Sequence, residues 1–228
     1  MNRPVVVAID GPSGAGKSTA ARLLAERLGV PYIDTGAMYR ALGLAAREAG
    51  IALPLASSDQ SAAVVEIANR ASIELVPDAA GGRVLLDGRD VTEAIRDPEV
   101  SLYASAVSAL PGVRRRLVLE QRRLAGERGG VIEGRDIGTV VFPETPHKFF
   151  LTASPEIRAR RRARELEALG KPQPFERVLA EMVRRDRDDQ TREDSPLTVD
   201  ASYLVIDSSG RDAAGVVEEM ERRVRAAS

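Results

Sequence analysis

The sequence contains no cysteine and a single histidine, His147. The absence of cysteine excludes a disulfide framework and a thiol nucleophile. His147 lies between Pro146 and Lys148, and without a second histidine or a cysteine it does not make a transition-metal site. We therefore interpret His147 as a structural residue near the start of a strand, and look for chemistry in other side chains and in the backbone.

Long apolar runs are also absent. No stretch approaches the roughly 20 apolar residues that a membrane-spanning helix needs, and Asp10 interrupts the only early apolar run, so we expect no signal peptide. The formal net charge is −1, which provides no global field for nucleic acid or for an anionic membrane. With 228 residues the chain can form one α/β domain with insertions. We expect a cytoplasmic protein with no membrane or nucleic-acid partner.

Lysine is scarce, since Lys17, Lys148 and Lys171 are the only lysines among 33 basic residues. Lys17 lies in GPSGAGKS at 11–18, which fits G-x-x-x-x-G-K-[ST], the phosphate-binding loop or P-loop. An apolar run at 5–9 predicts a buried strand before the loop, and an apolar stripe with helical spacing predicts a helix over 18–28. Strand, loop and helix in this order are the context in which the motif binds phosphate.

The residue types of this loop fit its chemistry. Glycines let backbone N–H groups approach phosphate oxygens closely, and the helix start adds free N–H groups and a positive dipole end. Lys17 brings a full charge to the outer phosphates, and the Ser18 hydroxyl can ligate Mg²⁺. The candidate ATP-binding residues of this segment are Gly11, Pro12, Ser13, Gly14, Ala15, Gly16, Lys17, Ser18 and Thr19.

The rest of the chain alternates between short apolar runs and helical stripes. Such alternation predicts a parallel sheet with helices on both faces. Further strands are predicted at 30–34, 130–133, 148–152 and 203–207. Helices are predicted from near 35, from a cap at Ser58–Asp59 to about 71, over 99–110 and 113–127, from a cap at Ser154 to a stop at Gly170, around 175–183, and over 213–226. Gly29 is the predicted stop of the helix over 18–28.

One part of the chain breaks this alternation. Short apolar runs at 73–76 and 84–86 flank the turn-rich segment 77–82 and predict an antiparallel hairpin, and 88–90 predicts another turn. We interpret the region from about 57 to 100 as an insertion.

A second anion site is suggested by DTGAMYR at 34–40. The free N–H groups of a helix beginning near Thr35, with Tyr39 and Arg40 one turn on, can bind an anion. The alternative is an ordinary capped helix with Arg40 in solvent.

The strand at 130–133 opens directly onto Gly134, Arg135 and Asp136. Ligands of open parallel sheets bind at the carboxyl ends of the strands, so Arg135 and Asp136 are functional candidates. A salt bridge within the loop is the alternative.

The helix that begins near Ser154 carries arginine at 158, 160, 161, 162 and 164. Arg158 and Arg162 are four residues apart and share a face. Guanidinium groups this close repel one another unless an anion lies between them, which favours an anion site. The alternative is a solvated charged face.

A phosphate-binding loop alone fits a switch, a motor or a transferase. The sequence lacks the N-K-x-D expected of a GTPase, and the strand at 130–133 leads into Glu-Gly-Arg-Asp instead of ending in the aspartate typical of a motor ATPase. Phosphoryl transfer between two phosphorylated substrates requires arginines from several segments, because many charged oxygens are packed together. An acceptor phosphate has a second pKa of about 6 and needs no general base at neutral pH. The arginines on separate segments are Arg40, Arg135, Arg158, Arg162, Arg185 and Arg192.

Several motifs together resemble the bacterial cytidylate kinases nearly end to end: GPSGAGKS, DTGAMYR, LLDGRDVTEAIR, EGRDIGTVVFP and RRDRDDQTR. The resemblance implies transfer of the γ-phosphoryl group of ATP to CMP or dCMP, with Mg²⁺, giving CDP or dCDP and ADP. It also implies an α/β P-loop kinase fold with a five-stranded parallel sheet. A nucleoside-monophosphate-binding insertion within 35–115 would contain a small antiparallel sheet, and 155–192 would form a helical lid.

The resemblance further implies roles for single residues. The catalytic set would be Lys17, Arg40, Arg135, Arg158, Arg162 and Arg192, with Arg158 and Arg162 meeting ATP as lid arginines. The acceptor phosphate would lie near Thr35, Tyr39, Arg40, Arg135 and Arg192. The ribose would lie near Arg185 and Asp189, and the cytosine near Ser105, Arg114 and Asp136, with Gly134 also in the CMP site.

This base assignment makes physical sense. Cytosine presents an amino donor at N4 beside acceptors at N3 and O2. Asp136 can accept from N4, and Arg114 and Ser105 can donate to the acceptors. Uracil would bring its O4 acceptor against the carboxylate, which predicts a strong preference for CMP over UMP.

Two other functions remain open from the sequence. One is another small P-loop kinase that acts on AMP, UMP or a non-nucleotide acid. The other is a nucleotide-dependent RNA-binding regulator that uses the arginine-rich helix. The net charge near zero and the lack of interleaved aromatic residues disfavour the regulator. We expect a monomer, since nothing in the sequence demands an oligomer.

Overall fold

The computed structural model describes residues 4–76, 82–126 and 128–226. The chain divides into two compact units. We call the unit made of residues up to 32 and from 125 onward the P-loop unit, and Ile33–Leu124 the inserted unit. The assignment of 35–115 to a nucleotide-binding insertion and of 155–192 to a lid stays a prediction.

The secondary structure follows the predicted order. The strands are β1 (Val6–Asp10), β2 (Tyr32–Asp34), β3 (Ile73–Val76), β4 (Arg83–Leu86), β5 (Arg89–Asp90), β6 (Gly130–Gly134), β7 (His147–Thr152) and β8 (Leu204–Asp207). The helices are α1 (Lys17–Leu28), α2 (Thr35–Glu48), α3 (Ser58–Arg70), α4 (Pro98–Ser108), α5 (Pro111–Gly126), α6 (Pro155–Ala168), α7 (Phe175–Thr191) and α8 (Ala213–Ala226).

Five strands form the central sheet in the order β2-β6-β1-β7-β8. The prediction of a five-stranded parallel sheet is confirmed, with β1 parallel to both β6 and β7, and β7 parallel to β8. Asp10, the last residue of β1, lies opposite Gly134 on one side and Phe150 on the other. The sheet register therefore brings the loop after β1 and the loop after β6 to one edge.

One face of the sheet is buried under α1 and α8. Leu24 of α1, Phe149 of β7 and Met220 of α8 belong to one apolar core, and all three side chains are fully buried. Gly29 ends α1 in the left-handed conformation, with a φ of 66°, as the sequence predicts. This packing fixes the sheet edge at which α1 begins.

Side chains cap several helix starts in the described part of the chain. Asp34 caps α2 by accepting from the Ala37 N–H at 2.9 Å, and Ser154 caps α6 by accepting from the Ile157 N–H at 3.3 Å. The cap of α3 was predicted at Ser58–Asp59, and this prediction is wrong by one residue. Ser57 is the cap, because Gln60 closes a reciprocal capping box with it.

The inserted unit is larger than the predicted insertion at 57–100, because α2 and α4 share its core with the small sheet. Helices α2 and α4 pack closely at Gly43, where an added Cβ atom would lie 2.7 Å from the Ala104 nitrogen. The predicted β3–β4 hairpin is confirmed as antiparallel. Residues 77–81 of its predicted turn lie outside the described residues.

The segment at 88–90 differs from its prediction as a turn. The turn is at Asp87 and Gly88, both with positive φ, and β5 then pairs antiparallel with β4 as a third strand. Two residues of strand give too short a pattern to recognise in the sequence.

Two further helix boundaries differ from the predictions. Helix α5 begins at Pro111, two residues early, because proline is well suited to the first turn of a helix. Its predicted end at Glu127 lies outside the described residues. Helix α7 continues through the arginine-rich run to Thr191, well past the predicted apolar stripe.

Candidate phosphate-binding site

The loop at 11–16 has the backbone that its glycines predict. The φ angles of Gly11, Gly14 and Gly16 are 144°, 75° and 90°, a region that favours glycine. A Cβ atom on Gly11 would lie 2.0 Å from the Leu151 carbonyl oxygen, so only glycine fits there. Among the described residues no side chain caps α1 at Gly16, which leaves the first-turn N–H groups of this helix open to a ligand.

Lys17 is buried at the first turn of α1, with its side chain folded back along the loop. Its Nζ donates to the Pro12 carbonyl at 2.8 Å. Burial and the positive charge of Arg135 lower the pKa of Lys17 to about 7, against the opposing effect of nearby carboxylates. The ammonium is therefore held in surroundings that lack enough negative charge to balance it.

A fully buried carboxylate, Asp10, ties the end of β1 to the loop after β6. It accepts from the N–H groups of Ile137 and Gly138, both at 2.8 Å, and from the Tyr203 hydroxyl at 2.7 Å. Burial raises the pKa of Asp10 in spite of these bonds. Because Ile137 and Gly138 directly follow Asp136, these bonds fix the backbone beside that candidate residue.

Arg135 pairs with Asp189 of α7. The Arg135 Nε donates to Asp189 Oδ2 at 2.8 Å. Although burial alone would raise it, the pKa of the Asp189 carboxyl is lowered by Arg135, Arg185 and Arg192. The Arg192 Nη1 is 3.7 Å from Asp189 Oδ1. The salt bridge of Arg135 with Asp189 therefore reaches a distant helix and is not confined to the 134–136 loop.

The predicted residues of the P-loop unit come together around Lys17 to different degrees. Arg135 and Asp189 both act electrostatically on Lys17, and Arg185 and Arg192 act on Asp189. Arg162 does not share these contacts, since its Nη1 donates to Glu165 of its own helix at 3.1 Å.

Arg158 lies against the phosphate-binding loop. Its Nη1 donates to the Ser13 carbonyl at 3.1 Å, and its Nη2 donates to Asp186 at 2.6 Å. The expected anion beside these arginines is, for Arg158, the carboxylate of Asp186, so no bound ligand is needed to relieve repulsion at this residue. The alternative of a solvated face is also wrong for Arg158, which is buried, whereas Arg160 and Arg164 of the same helix are exposed.

The inserted unit holds a second set of predicted residues. Arg40 Nη2 donates to Asp34 Oδ2 at 2.8 Å, while Asp34 also caps α2. Arg40 is therefore neither free in solvent nor detached from the helix start, and Thr35 beside it is buried. Asp34 therefore balances the charge of Arg40 and holds its guanidinium at the start of α2.

Arg114, Tyr39 and Ser105 lie in the same inserted unit. The Arg114 guanidinium lies 5.7 Å from the centre of the Tyr39 ring, and its Nη1 donates to the Ser108 carbonyl at 3.3 Å. Ser105 accepts at its carbonyl from the Ser108 hydroxyl. Arg114 is buried, and the Ser108 carbonyl and the Tyr39 ring are among its contacts.

Sequence reasoning missed the residues that hold the candidates in place. Asp10 was seen only as an interruption of an apolar run, although a carboxylate directly after a buried strand is itself a signal. Glu133 is buried and accepts from the Tyr32 hydroxyl. Arg161 and Ser208 contact the phosphate-binding loop. For Asp186 the one sequence signal was its position in the acid- and arginine-rich run.

Ser18 and Thr19 are exposed on the first turn of α1. Within the described ranges no group of three or more His, Cys, Asp or Glu side chains could hold a metal ion. One exposed hydroxyl fits Mg²⁺ that is bound chiefly through nucleotide phosphates and water, which is the usual way proteins bind this ion.

No helix in the described part of the chain is long and apolar enough to span a membrane. His147 is buried at the start of β7, and burial and the charge of Arg223 lower its pKa.

Comparison with known proteins gives consistent matches. The family model described as Cytidylate kinase matches residues 7–226. This chain is similar to the cytidylate kinases of Pelotomaculum thermopropionicum, Geobacter sp. strain M21 and Symbiobacterium thermophilum, with 50%, 48% and 47% identity. The aligned regions cover 99%, 97% and 98% of this chain and 98%, 93% and 97% of those relatives.

Proposed function

The chain belongs to the cytidylate kinase family, and from that premise we propose that it transfers the γ-phosphoryl group of ATP to CMP or dCMP. The products are CDP or dCDP, and ADP. The observation that best supports this reaction is the group of cations around Lys17, which comes from the P-loop, the end of β6 and helix α7. The reaction belongs to cytoplasmic pyrimidine nucleotide metabolism, and the enzyme acts as a monomer.

The donor site is assigned to the P-loop unit. The N–H groups of the loop at 11–16 and the start of α1 bind the phosphates of ATP, and Lys17 neutralises the outer phosphates. The Ser18 hydroxyl would hold Mg²⁺ on the bound nucleotide, where the ion would supply further charge neutralisation. The remaining ATP contacts are assigned to Thr19, Arg158 and Arg162.

The acceptor contacts are assigned separately for each unit. In the inserted unit we assign CMP binding to Thr35, Tyr39, Arg40, Ser105 and Arg114. In the P-loop unit we assign it to Gly134, Arg135, Asp136, Arg185, Asp189 and Arg192. Arginine suits this task because its planar fork binds phosphate oxygens in pairs. No side chain acts as general base, since the acceptor phosphate is already ionised at neutral pH.

The test is a coupled assay with ATP, Mg²⁺ and a panel of CMP, dCMP, UMP and AMP. ADP formation that depends on CMP and on dCMP supports the proposal. Turnover with AMP or UMP in preference to CMP would assign the chain a different acceptor. ATP binding without transfer to any acceptor would contradict a kinase function.

Lys17 predicts a pH effect on nucleotide binding. Because the pKa of Lys17 is about 7 in the free protein, most of this amine is neutral at pH 8. A bound polyanion raises that pKa, so ATP binding at pH 8 should take up roughly one proton. The affinity for ATP should then fall as the pH rises above neutrality. Titration calorimetry in buffers of different ionisation enthalpy measures this proton uptake.

The same titration at pH 6 is the control. Lys17 is already protonated at that pH, so proton uptake by Lys17 on ATP binding should largely disappear. The nucleotide phosphates are fully ionised at pH 8, since their last pKa is about 6, and so contribute little at that pH. Binding at pH 8 without proton uptake would mean that Lys17 is charged before ATP arrives.

A further inference from the structure

Consecutive carbonyl groups of the phosphate-binding loop are each held by a side chain. The Ser13 carbonyl accepts from Arg158, as described above, and the Gly14 carbonyl accepts from Arg161 Nη1 at 3.2 Å. The Ala15 carbonyl accepts from the Ser208 Oγ at 2.9 Å. Donors from α6 and from the end of β8 therefore hold one side of the loop.

Fixing a carbonyl also fixes an N–H group. The peptide unit is planar and trans, so its C=O and N–H bonds point in opposite directions. Holding the carbonyls of Gly14 and Ala15 on one side turns the N–H groups of Ala15 and Gly16 to the other. Those N–H groups belong to the set that binds phosphate in a loop of this kind.

We propose that Arg161 and Ser208 are positioning residues that hold the P-loop in its phosphate-binding conformation before ATP arrives. The inference rests on the proposed function, because it assigns these residues a role at the donor site of that reaction. They act through the backbone of the loop and do not contact the phosphates themselves.

The two residues form one connected unit that is anchored to the sheet. Arg161 Nη1 also donates to Ser208 Oγ at 3.0 Å, and its Nη2 donates to the Ser208 carbonyl at 2.8 Å. The Ser208 N–H donates to the Thr152 carbonyl at the end of β7 at 2.8 Å. Ser208 is only 5% exposed. A continuous series of hydrogen bonds therefore connects the sheet to the loop through Ser208 and Arg161.

This loop needs such support because of its composition. Gly14 and Gly16 both have positive φ, and glycine has access to many other conformations. An unsupported loop would have to be ordered each time it bound a nucleotide, which lowers affinity. Bonds to its carbonyls remove part of that ordering cost in advance.

The test measures ATP affinity by calorimetry in two variants, Arg161→Lys and Ser208→Ala. Lysine keeps the charge at 161 but lacks the fork that reaches Gly14 and Ser208 together. We expect each variant to bind ATP about 10-fold more weakly. The matched control is Arg164→Lys, the same exchange at an exposed position of α6, and ATP affinity there should be unchanged.

Further readouts separate positioning from general destabilisation. Ser208→Thr keeps the hydroxyl and should restore ATP affinity, while the KM for CMP should stay at its wild-type value in every variant. Because both residues act through one network, the double variant should bind ATP little worse than either single variant. Ser202→Ala, at an exposed serine of the same unit, controls for loss of a hydroxyl.

Two results would overturn the proposal. Wild-type ATP affinity in Arg161→Lys would mean that only the charge matters, as for direct phosphate contact. Fully additive losses in the double variant would mean that the residues act separately. Calorimetry needs no turnover, so it tests the positioning role even if the acceptor assay shows that the proposed reaction is wrong.

Discussion

Exchanging Lys17 for methionine is expected to lower kcat/KM for phosphoryl transfer by about 10³-fold and to leave the protein at least as stable as wild type. The activity is lost because methionine carries no charge to neutralise the outer phosphates in the transition state. The stability gain follows from the lowered pKa of Lys17, since burial and Arg135 oppose the ammonium more than the nearby carboxylates favour it. Methionine has a similar length and carries no buried charge.

Kinetics and thermal unfolding of Lys17→Met, measured at neutral pH, test both parts. Lys171→Met is the matched control, because Lys171 is exposed and lies outside the loop motif. That variant should keep wild-type kinetics. Substantial activity in Lys17→Met would remove Lys17 from the catalytic set. A lower melting temperature would mean that the bond from Lys17 to the Pro12 carbonyl outweighs the cost of burying the charge.

The parts of the fold that could be predicted from the sequence have local signals. The strand, loop and helix around Lys17 were predicted to within one residue, because buried-strand, glycine-loop and helical patterns follow one another without a gap. Ser154 was identified as the cap of α6 because serine followed by Pro155 is a strong helix start.

Errors in the fold occur where the outcome depends on distant contacts. The cap of α3 moved to Ser57 because the Gln60 side chain reaches back to that residue, and the two-residue strand β5 forms only by pairing with β4. The extent of the inserted unit depends on the packing of α2 against α4. No sequence pattern near residues 57 and 100, the predicted ends of the insertion, reveals that packing.

The sequence predicted which residues form the candidate site, but not which of them pair in salt bridges. Arg135 and Asp189 are 54 residues apart in sequence, and Arg158 and Asp186 are 28 apart, so no local pattern connects them. The motifs identified the arginines as candidate site residues. Of their partners, Asp186 was not among the candidates, and Asp189 was assigned to the ribose. Asp10 ends β1 and Tyr203 directly precedes β8, so two residues that are 193 apart in sequence meet across the central sheet.

The second large effect is expected in base selection, at the side chain of Asp136. Asp136 is 5% exposed, and the backbone that follows it is fixed by Asp10. A buried carboxylate can accept from the cytosine N4 amino group, but it meets an acceptor in uracil O4. Sites built to pair with such a group reject the wrong partner by about 10⁴-fold. The wild-type protein should therefore prefer CMP over UMP by a factor of this order.

Asp136→Asn should reduce that preference by about 10²-fold, because an amide can donate to uracil O4 and can also accept from cytosine N4. The measurement is kcat/KM for CMP and for UMP in both proteins. Asp188→Asn removes the same charge from an exposed position beside Asp189 and should leave the ratio unchanged. Equal efficiencies for the two nucleotides in the wild-type protein would remove Asp136 as base reader. An unchanged ratio in Asp136→Asn would place base selection in the inserted unit, with Arg114 and Ser105 as the remaining candidates.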